Sequence, residues 1–381
     1  MFEWTGALAF AGSVDRLPGM MDINIVCDDS AIRVAVGPGL LGDVGELLRR
    51  HGDMTDVCVV TDEHVGSLYA EKALSSLRLA GLSPWLHTIA PGEDSKCLSE
   101  ADALFGALAT AGFGRDGIIL ALGGGVVSDL AGFVAATWCR GVRWAVCPTT
   151  LEADLDAAIG GKTAVNTSAG KNLVGAFHQP VLIAIDSTCP KTLDSRDVRA
   201  GLAESVKHGL IASEELLSWQ ASRTEAILSL DEETVGELII RNVHIKADFV
   251  SRDPFERSGV RIMLNFGHTI GHAIESACCF RLRHGECVAL GTLAACRLSH
   301  MCGLLDESVV DRLSGILSDI GLPTALHEPI STDGILRHIS QDKKKRGKQV
   351  RYVLLTAVGE PVVRSDVPED LVRAAYESLL V

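Results

Sequence analysis

Gly117–Thr137 reads GIILALGGGVVSDLAGFVAAT. Its first residues form an unbroken apolar run of strand length, its last residues look helical, and Gly123-Gly124-Gly125 joins the two. An unbroken apolar strand suits a parallel sheet covered on both faces by helices. Glycines at such a strand-to-helix turn let a pyrophosphate approach the backbone, while the helix N-terminus offers N–H donors and the positive end of its dipole. The same glycines also suit a ligand-free tight turn in any α/β sheet.

Working outward, Ala31–Val36, Asp56–Thr61, Trp85–Thr88, Arg143–Cys147 and Val181–Ile185 read as further strands. Val65–Leu79 and Leu98–Gly112 read as helices between them, the order expected of an α/β fold. After about Thr192 the texture changes to long helical periods: Val198–Ile211, Glu214–Leu228, Glu233–Val250, Met263–Cys278, Glu286–Met301 and Glu307–Ile320. Gln341–Gly359 differs again, with KKKRGK predicted as a basic turn ahead of a strand, RYVLLTAVG. The spacing therefore predicts an extension over residues 1–22, an α/β domain over 23–192 and a helical domain over 193–381. A length of 381 residues suits two domains at roughly 100–200 residues each.

Composition excludes several classes. With 47% apolar and 22% charged residues the chain is neither disordered nor fibrous. A net charge of −14 removes the basic footprint that nucleic-acid binding needs. No apolar run reaches the roughly 18 residues of a membrane helix, and no basic segment precedes the short apolar stretch near the start. The 11 cysteines are odd in number and lack a CxxC pair, the usage expected of free thiols in a reducing compartment, hence a cytoplasmic protein.

Several polar groups are placed for chemistry. Asp62, ending an early strand, can accept from an adenosine ribose. Thr149–Asn172 (TTLEADLDAAIGGKTAVNTSAGKN) crowds Asp156, Lys162, Lys171 and Asn172 among small residues, a texture suited to a phosphorylated ligand. His268 and His272 lie four residues apart on one helical face, and with His284 and Glu204 they make a donor set suited to an open Zn²⁺ site. Spacing does not choose which two histidines ligate. Lys246, Glu256 and Arg261 form a charged patch ahead of this helix, Arg261 being suited to bidentate recognition of a carboxylate.

At these residues the sequence resembles the 3-dehydroquinate synthases, within the sugar phosphate cyclases. The blocks GGGVVSDLAGF, RGVRW, PTTL, GGKTAVN, GKNLVGAFHQP, RAGLAESVKHGLI, LNFGHTIGHAIE and HGE occur in the family's order, over a likeness running from about Ile23 to the C-terminus. The resemblance implies a Rossmann-like NAD-binding α/β domain followed by an all-α metal-binding domain. It implies Glu204, His268 and His284 as ligands of Zn²⁺ or Co²⁺, leaving His272 for proton transfer and phosphate contact. It matches Asp62, Glu93, Lys96, Gly124, Gly125 and Asp129 to cofactor positions, with Thr149, Thr150, Lys171, Thr192 and Leu193. Asp156, Lys162, Asn172, Lys207, Lys246, Arg261, Asn265 and a lysine of the pair Lys343-Lys344, taken as Lys344, match substrate positions. Glu256, Lys207 and Asp156 join His272 as catalytic groups, and Arg140 is expected to reach a neighbouring subunit's site in a homodimer.

The implied activity converts the sugar phosphate 3-deoxy-D-arabino-heptulosonate 7-phosphate to 3-dehydroquinate and phosphate, a shikimate-pathway step toward aromatic amino acids. Rival readings are a cyclase of secondary metabolism acting on an amino analogue or on sedoheptulose 7-phosphate, and a metal-dependent polyol dehydrogenase. A degenerate, non-catalytic relative is a further rival. Arg261 argues against a substrate without a carboxylate, and the lysine- and asparagine-rich set argues against a dehydrogenase that handles no phosphate. Three departures from the family pattern stand out: Glu152 after PTTL, Ser128 in place of glycine, and DPFERSG, one residue longer than the usual acidic loop.

Overall fold

The structure, a computed structural model, describes residues 20–27, 30–278, 281–327, 330–346 and 350–381, the side chains of residues 30 and 341–346 apart. Of the expected extension over residues 1–22, residues 1–19 lie outside the described residues. The chain forms two compact units. One takes the described residues up to Leu193 together with Val235–Phe255; the other takes Asp194–Thr234 and Glu256–Val381. A two-way cut of the sequence near residue 192 misses that exchange, because most of the helix Glu232–Arg252 groups with the first unit. Its Lys246 pairs there with Asp156 at 2.6 Å, a tertiary contact that no local periodicity announces.

The first unit is built on a sheet of order β1-β2-β9-β6-β5-β3-β4. The strands are β1 (Met21–Cys27), β2 (Ser30–Gly37), β3 (Asp56–Asp62), β4 (Ser83–Ile89), β5 (Ile118–Gly123), β6 (Arg143–Pro148) and β9 (Leu182–Asp186). β5 is buried along its whole length, as its unbroken apolar run requires. All neighbouring pairs are parallel except β1 with β2. β1 was not among the expected strands: MDINIVC mixes polar and apolar residues and pairs on one side only, the weaker signature of an edge strand. The chain leaves β3 for the edge strand β4 and returns to β5 on the other side of β3. That reversal makes a topological switch point at the carboxyl ends of β3 and β5, the kind of place where α/β sheets accept ligands. A separate hairpin joins β7 (Lys162–Thr167) to β8 (Gly170–Phe177), with Lys162 opposite Phe177 and Thr167 opposite Gly170.

The second unit is helical. Its elements include Ser195–Ala212, His268–Ala277, His284–Met301, Glu307–Ile320, Thr332–Arg346 and Glu369–Glu377, with one hairpin of β10 (Tyr352–Ala357) and β11 (Glu360–Arg364). β10 answers the expected strand in RYVLLTAVG. The basic segment ahead of it is corrected: Lys343–Arg346 closes a helix, not a turn, and residues 347–349 lie outside the described residues. Lysine and arginine are good helix formers near a helix C-terminus, where they also offset its dipole. The expected helix Met263–Cys278 is also corrected. A 3₁₀ turn, Arg261–Asn265, precedes a break at Phe266-Gly267, and the α-helix starts at His268. Gly267 adopts φ 78°, and a Cβ there would lie 2.4 Å from Thr292 Oγ1. Only glycine meets both demands. Every described cysteine is a free thiol, and no helix among the described residues is long and apolar enough to cross a membrane.

Candidate functional site

In the first unit, β3 delivers Asp62 and β5 delivers Gly123 to the same sheet edge, laced by Thr61 Oγ1 donating to the Leu122 carbonyl at 2.8 Å. Asp62 caps the following helix, one carboxylate oxygen accepting from Val65 N at 2.9 Å. Gly124 is the N-cap of the helix Gly125–Thr137 and supplies no side-chain cap, so the first N–H groups remain available to an anion. A Cβ at Gly124 would stand 3.0 Å from Thr150 Cγ2 and narrow that approach. Thr149 is tied to the turn by its N–H to the Gly123 carbonyl at 3.2 Å. Its hydroxyl is buried with no hydrogen-bond partner among the described residues, which suits a ligand atom at this point. The dinucleotide implied by the sequence therefore fits the turn.

Beside the turn lies an ion-pair network. Lys96 Nζ is 2.6 Å from Asp129 Oδ2 and 3.7 Å from Glu93 Oε1, while Lys171 Nζ is 3.4 Å from the same Glu93 oxygen. Burial raises the Asp129 carboxyl above its ordinary range and Lys96 pulls it back. Asn166, absent from the sequence reading, organises this network. Its Nδ2 donates to Glu93 Oε1 at 2.8 Å, its N–H donates to the Lys96 carbonyl at 2.7 Å, and its Oδ1 accepts from Asn172 N at 3.1 Å. Asn172 is held at φ 54°, a left-handed conformation that this bond supports. Thr192, at the end of a short helical turn with Leu193 beyond it, shares a 2.7 Å hydrogen bond with Tyr69.

The stretch read as one ligand-binding cluster divides in space. Asp156 sits on a helical turn, Ala153–Ala157, and pairs with Lys246 at 2.6 Å. Lys171 and Asn172 join Glu93 and Asn166, whereas exposed Lys162 stands at the opposite end of the β7–β8 hairpin. Five residues of strand separate those ends, about 16 Å. Arg140 is exposed, makes no ion pair among the described residues, and follows Cys139 in a run of positive φ (49°, 65°, then 116° at Gly141).

In the second unit, two helices bring three imidazoles together. The ligand atoms of His268, His272 and His284 all lie within 4.8 Å of one another. Glu204, on the helix Ser195–Ala212 and 1% exposed, points Oε1 to within 3.5 Å of both His268 Nε2 and His284 Nε2. Lys207, one turn further on and equally buried, forms a tight ion pair with the other Glu204 oxygen. His268 Nδ1 lies 3.1 Å from the Phe266 carbonyl, and His284 Nδ1 lies 3.2 Å from Glu275 Oε2. With their Nδ1 atoms so engaged, both rings turn Nε2 toward Glu204. This nitrogen and oxygen set fits a borderline divalent ion such as Zn²⁺ or Co²⁺. His272 is held down to about 3 by desolvation and then by His268 and His284. Part of the residue is accessible to solvent, so the crowding of three rings, with centroids 5.0 and 5.7 Å from its own, is the firmer reason for a neutral His272.

Nearby in sequence, Asn265 Nδ2 donates to Glu256 Oε1 at 3.4 Å, and Glu256 itself lies at φ 55°. Arg261 is 1% exposed, the largest fully buried side chain described. The Lys343 and Lys344 side chains lie outside the described residues. Glu275 is the residue the sequence reading missed here. It stands seven residues after His268 and three after His272, on their helical face, and that periodicity was the available signal.

A phosphate-admitting turn on a parallel sheet, with a histidine and carboxylate set on a helical unit, is the architecture of the sugar phosphate cyclases. A solved 2-deoxy-scyllo-inosose synthase, complexed with carbaglucose-6-phosphate, NAD⁺ and Co²⁺, is similar with TM-score 0.86 and 26% identity, covering 94% of this chain and 100% of that one. The 2-epi-5-epi-valiolone synthase of Streptomyces hygroscopicus subsp. jinggangensis, with NAD⁺ and Zn²⁺ bound, is similar with TM-score 0.85 and 28% identity, covering 93% and 98%. Within that class, residues 86–200 match the 3-dehydroquinate synthase N-terminal domain and residues 201–345 its C-terminal domain. The 3-dehydroquinate synthase of Symbiobacterium thermophilum is 42% identical over 91% of this chain and 97% of its own length. The chain is an enzyme and belongs to the 3-dehydroquinate synthase family.

Proposed function

We propose that the chain converts 3-deoxy-D-arabino-heptulosonate 7-phosphate to 3-dehydroquinate and phosphate, as a carbon–oxygen lyase using NAD and a divalent metal, Zn²⁺ or Co²⁺. In a member of this family, the observation that carries the reading is the convergence of Glu204 on His268 and His284. When bound, the two cofactors supply a reversible hydride acceptor and an electrophile for a ring hydroxyl, so that the NAD ends the cycle unchanged.

The chain's own residues bind, orient and move protons. Gly124, Gly125, Thr149 and Thr150 take the pyrophosphate side of the dinucleotide; Asp62, Glu93, Lys96, Asp129, Lys171, Thr192 and Leu193 complete its site. Glu204, His268 and His284 are the metal ligands. Buried Arg261 recognises the substrate carboxylate, which favours this substrate over sedoheptulose 7-phosphate. Asp156, Lys207, Lys246, Asn265 and Lys344 are assigned to the phosphate and hydroxyl groups, with Lys162 and Asn172 assigned to separate groups because they stand at opposite ends of the β7–β8 hairpin; positioning of a small flexible substrate supplies much of the rate. Loss of phosphate removes a proton from the neighbouring carbon. Glu256, steadied by Asn265, and neutral His272 are the groups assigned to proton transfer, and Lys207 and Asp156 are assigned to the same task.

Exposed Arg140, held by strained backbone and without an ion pair among the described residues, supports its assignment to a neighbouring subunit's site in a homodimer. Free thiols support a cytoplasmic setting. The test is product analysis after incubating the metal-loaded protein and NAD⁺ with the heptulosonate phosphate and, in parallel, with sedoheptulose 7-phosphate; the first mixture decides the expected result. Equal amounts of 3-dehydroquinate and phosphate are expected. Cyclisation of sedoheptulose 7-phosphate alone would replace this reading with that of another cyclase.

A further inference from the structure

We infer that Glu275 is a positioning residue that sets the tautomer and the donor strength of His284, an inference that rests on reading Glu204, His268 and His284 as metal ligands. Glu275 is 8% exposed and lies on the same face of the helix His268–Ala277 as His268 and His272, two turns beyond His268. Its Oε2 is 3.2 Å from His284 Nδ1. A carboxylate has no proton to give, so Nδ1 carries the hydrogen and donates, and the lone pair of a neutral ring must then sit on Nε2. Nε2 is the atom 3.5 Å from Glu204 Oε1.

The two ligand histidines are thus held by different means. His268 leans on a backbone carbonyl, that of Phe266, whose position follows from the turn before the helix. His284 is the first residue of its own helix, with no earlier helical turn beneath its ring. The constraint comes instead from a charged group on another helix, and a carboxylate polarises the imidazole more strongly than an amide carbonyl does. Glu275 therefore does two things for one ring: it aims Nε2 and makes it a better donor.

The test is zinc affinity of the full chain, stripped by a chelator and titrated against a chromophoric competitor, for the unaltered protein, Glu275→Gln and Glu275→Ala. Glu275→Ala is expected to weaken zinc binding about 10–100-fold, and Glu275→Gln by less, because the amide oxygen still accepts from Nδ1. Nitrogen NMR of the ring is expected to show Nδ1–H on His284 in the unaltered protein and mixed tautomers in Glu275→Ala. Circular dichroism of the metal-free proteins separates this from misfolding, and the near-isosteric Glu275→Gln decides if Glu275→Ala fails to fold. Zinc binding by both variants as tight as that of the unaltered protein overturns the inference while leaving the ligand set standing. An unaltered protein that binds no zinc overturns both.

Discussion

The two units assemble their polar sites by opposite routes. In the helical unit, His268, His272, Glu275 and His284 come from one short stretch of chain, and only Glu204 arrives from elsewhere. In the sheet unit, Glu93, Lys96, Asp129, Asn166, Lys171 and Asn172 are drawn from four separate segments and joined through ion pairs and one asparagine. A donor set of few members fails when one is lost, whereas a distributed network loses function by degrees.

The largest effect is expected at His268. His268→Ala leaves two of the three assigned ligands, too few to hold Zn²⁺, and should bring metal content and turnover to background together. Full metal content in this variant would break the contrast at its strongest point. Arg261→Ala should cost about 3–4 kcal/mol in kcat/KM for a carboxylate substrate, on the order of 10²–10³-fold, with the loss far smaller for a substrate lacking the carboxylate. Equal losses on the two substrates would move the carboxylate contact elsewhere.

The sheet unit should respond more gently. Asn166→Ala removes an amide shared by Glu93 and Asn172, worth about 1–2 kcal/mol, so NAD affinity measured by fluorescence titration should fall about tenfold without loss of the fold. A loss as complete as that of His268→Ala would mean that the network also fails all at once.

The last effect leaves activity aside and concerns stability. Asp154 is fully buried, neither carboxylate oxygen has a hydrogen-bond partner among the described residues, and desolvation, with Asp186 nearby, pushes its pKa well above the ordinary value. The folded state then keeps a proton that the unfolded chain releases near pH 4, so stability declines as pH rises from there toward the folded-state value. Asp154→Asn should remove that decline. The variant should be more stable than the unaltered protein at pH 8 by about 1–3 kcal/mol, and not at pH 4. Parallel melting curves across that range would show that Asp154 is not the source.

The same contrast governs what could be read from the sequence. The strand GIILAL, the glycine turn and the helical second half carry periods set by local burial, and they were legible. The pair His268 and His272 was legible because its spacing is helical; which histidines partner Glu204 was not, since that depends on how two further helices pack. Asn166 lies in a plain strand, TAVN, and gains its role only when β7 runs beside the Lys96 segment. The helix start at His268 was hidden for the same kind of reason. The apolar period runs on through Gly267, and it is the approach of Thr292, distant in sequence, that leaves room there for no side chain. Likewise the grouping of Val235–Phe255 with the sheet unit is a tertiary choice.

The reaction proposed for this chain uses NAD without consuming it. Phosphate release and NADH absorbance followed together, on metal-loaded protein given NAD⁺ and 3-deoxy-D-arabino-heptulosonate 7-phosphate, test it most directly. Steady phosphate release with no net NADH is the predicted result. NADH accumulating without phosphate would contradict it and mark the chain as a dehydrogenase.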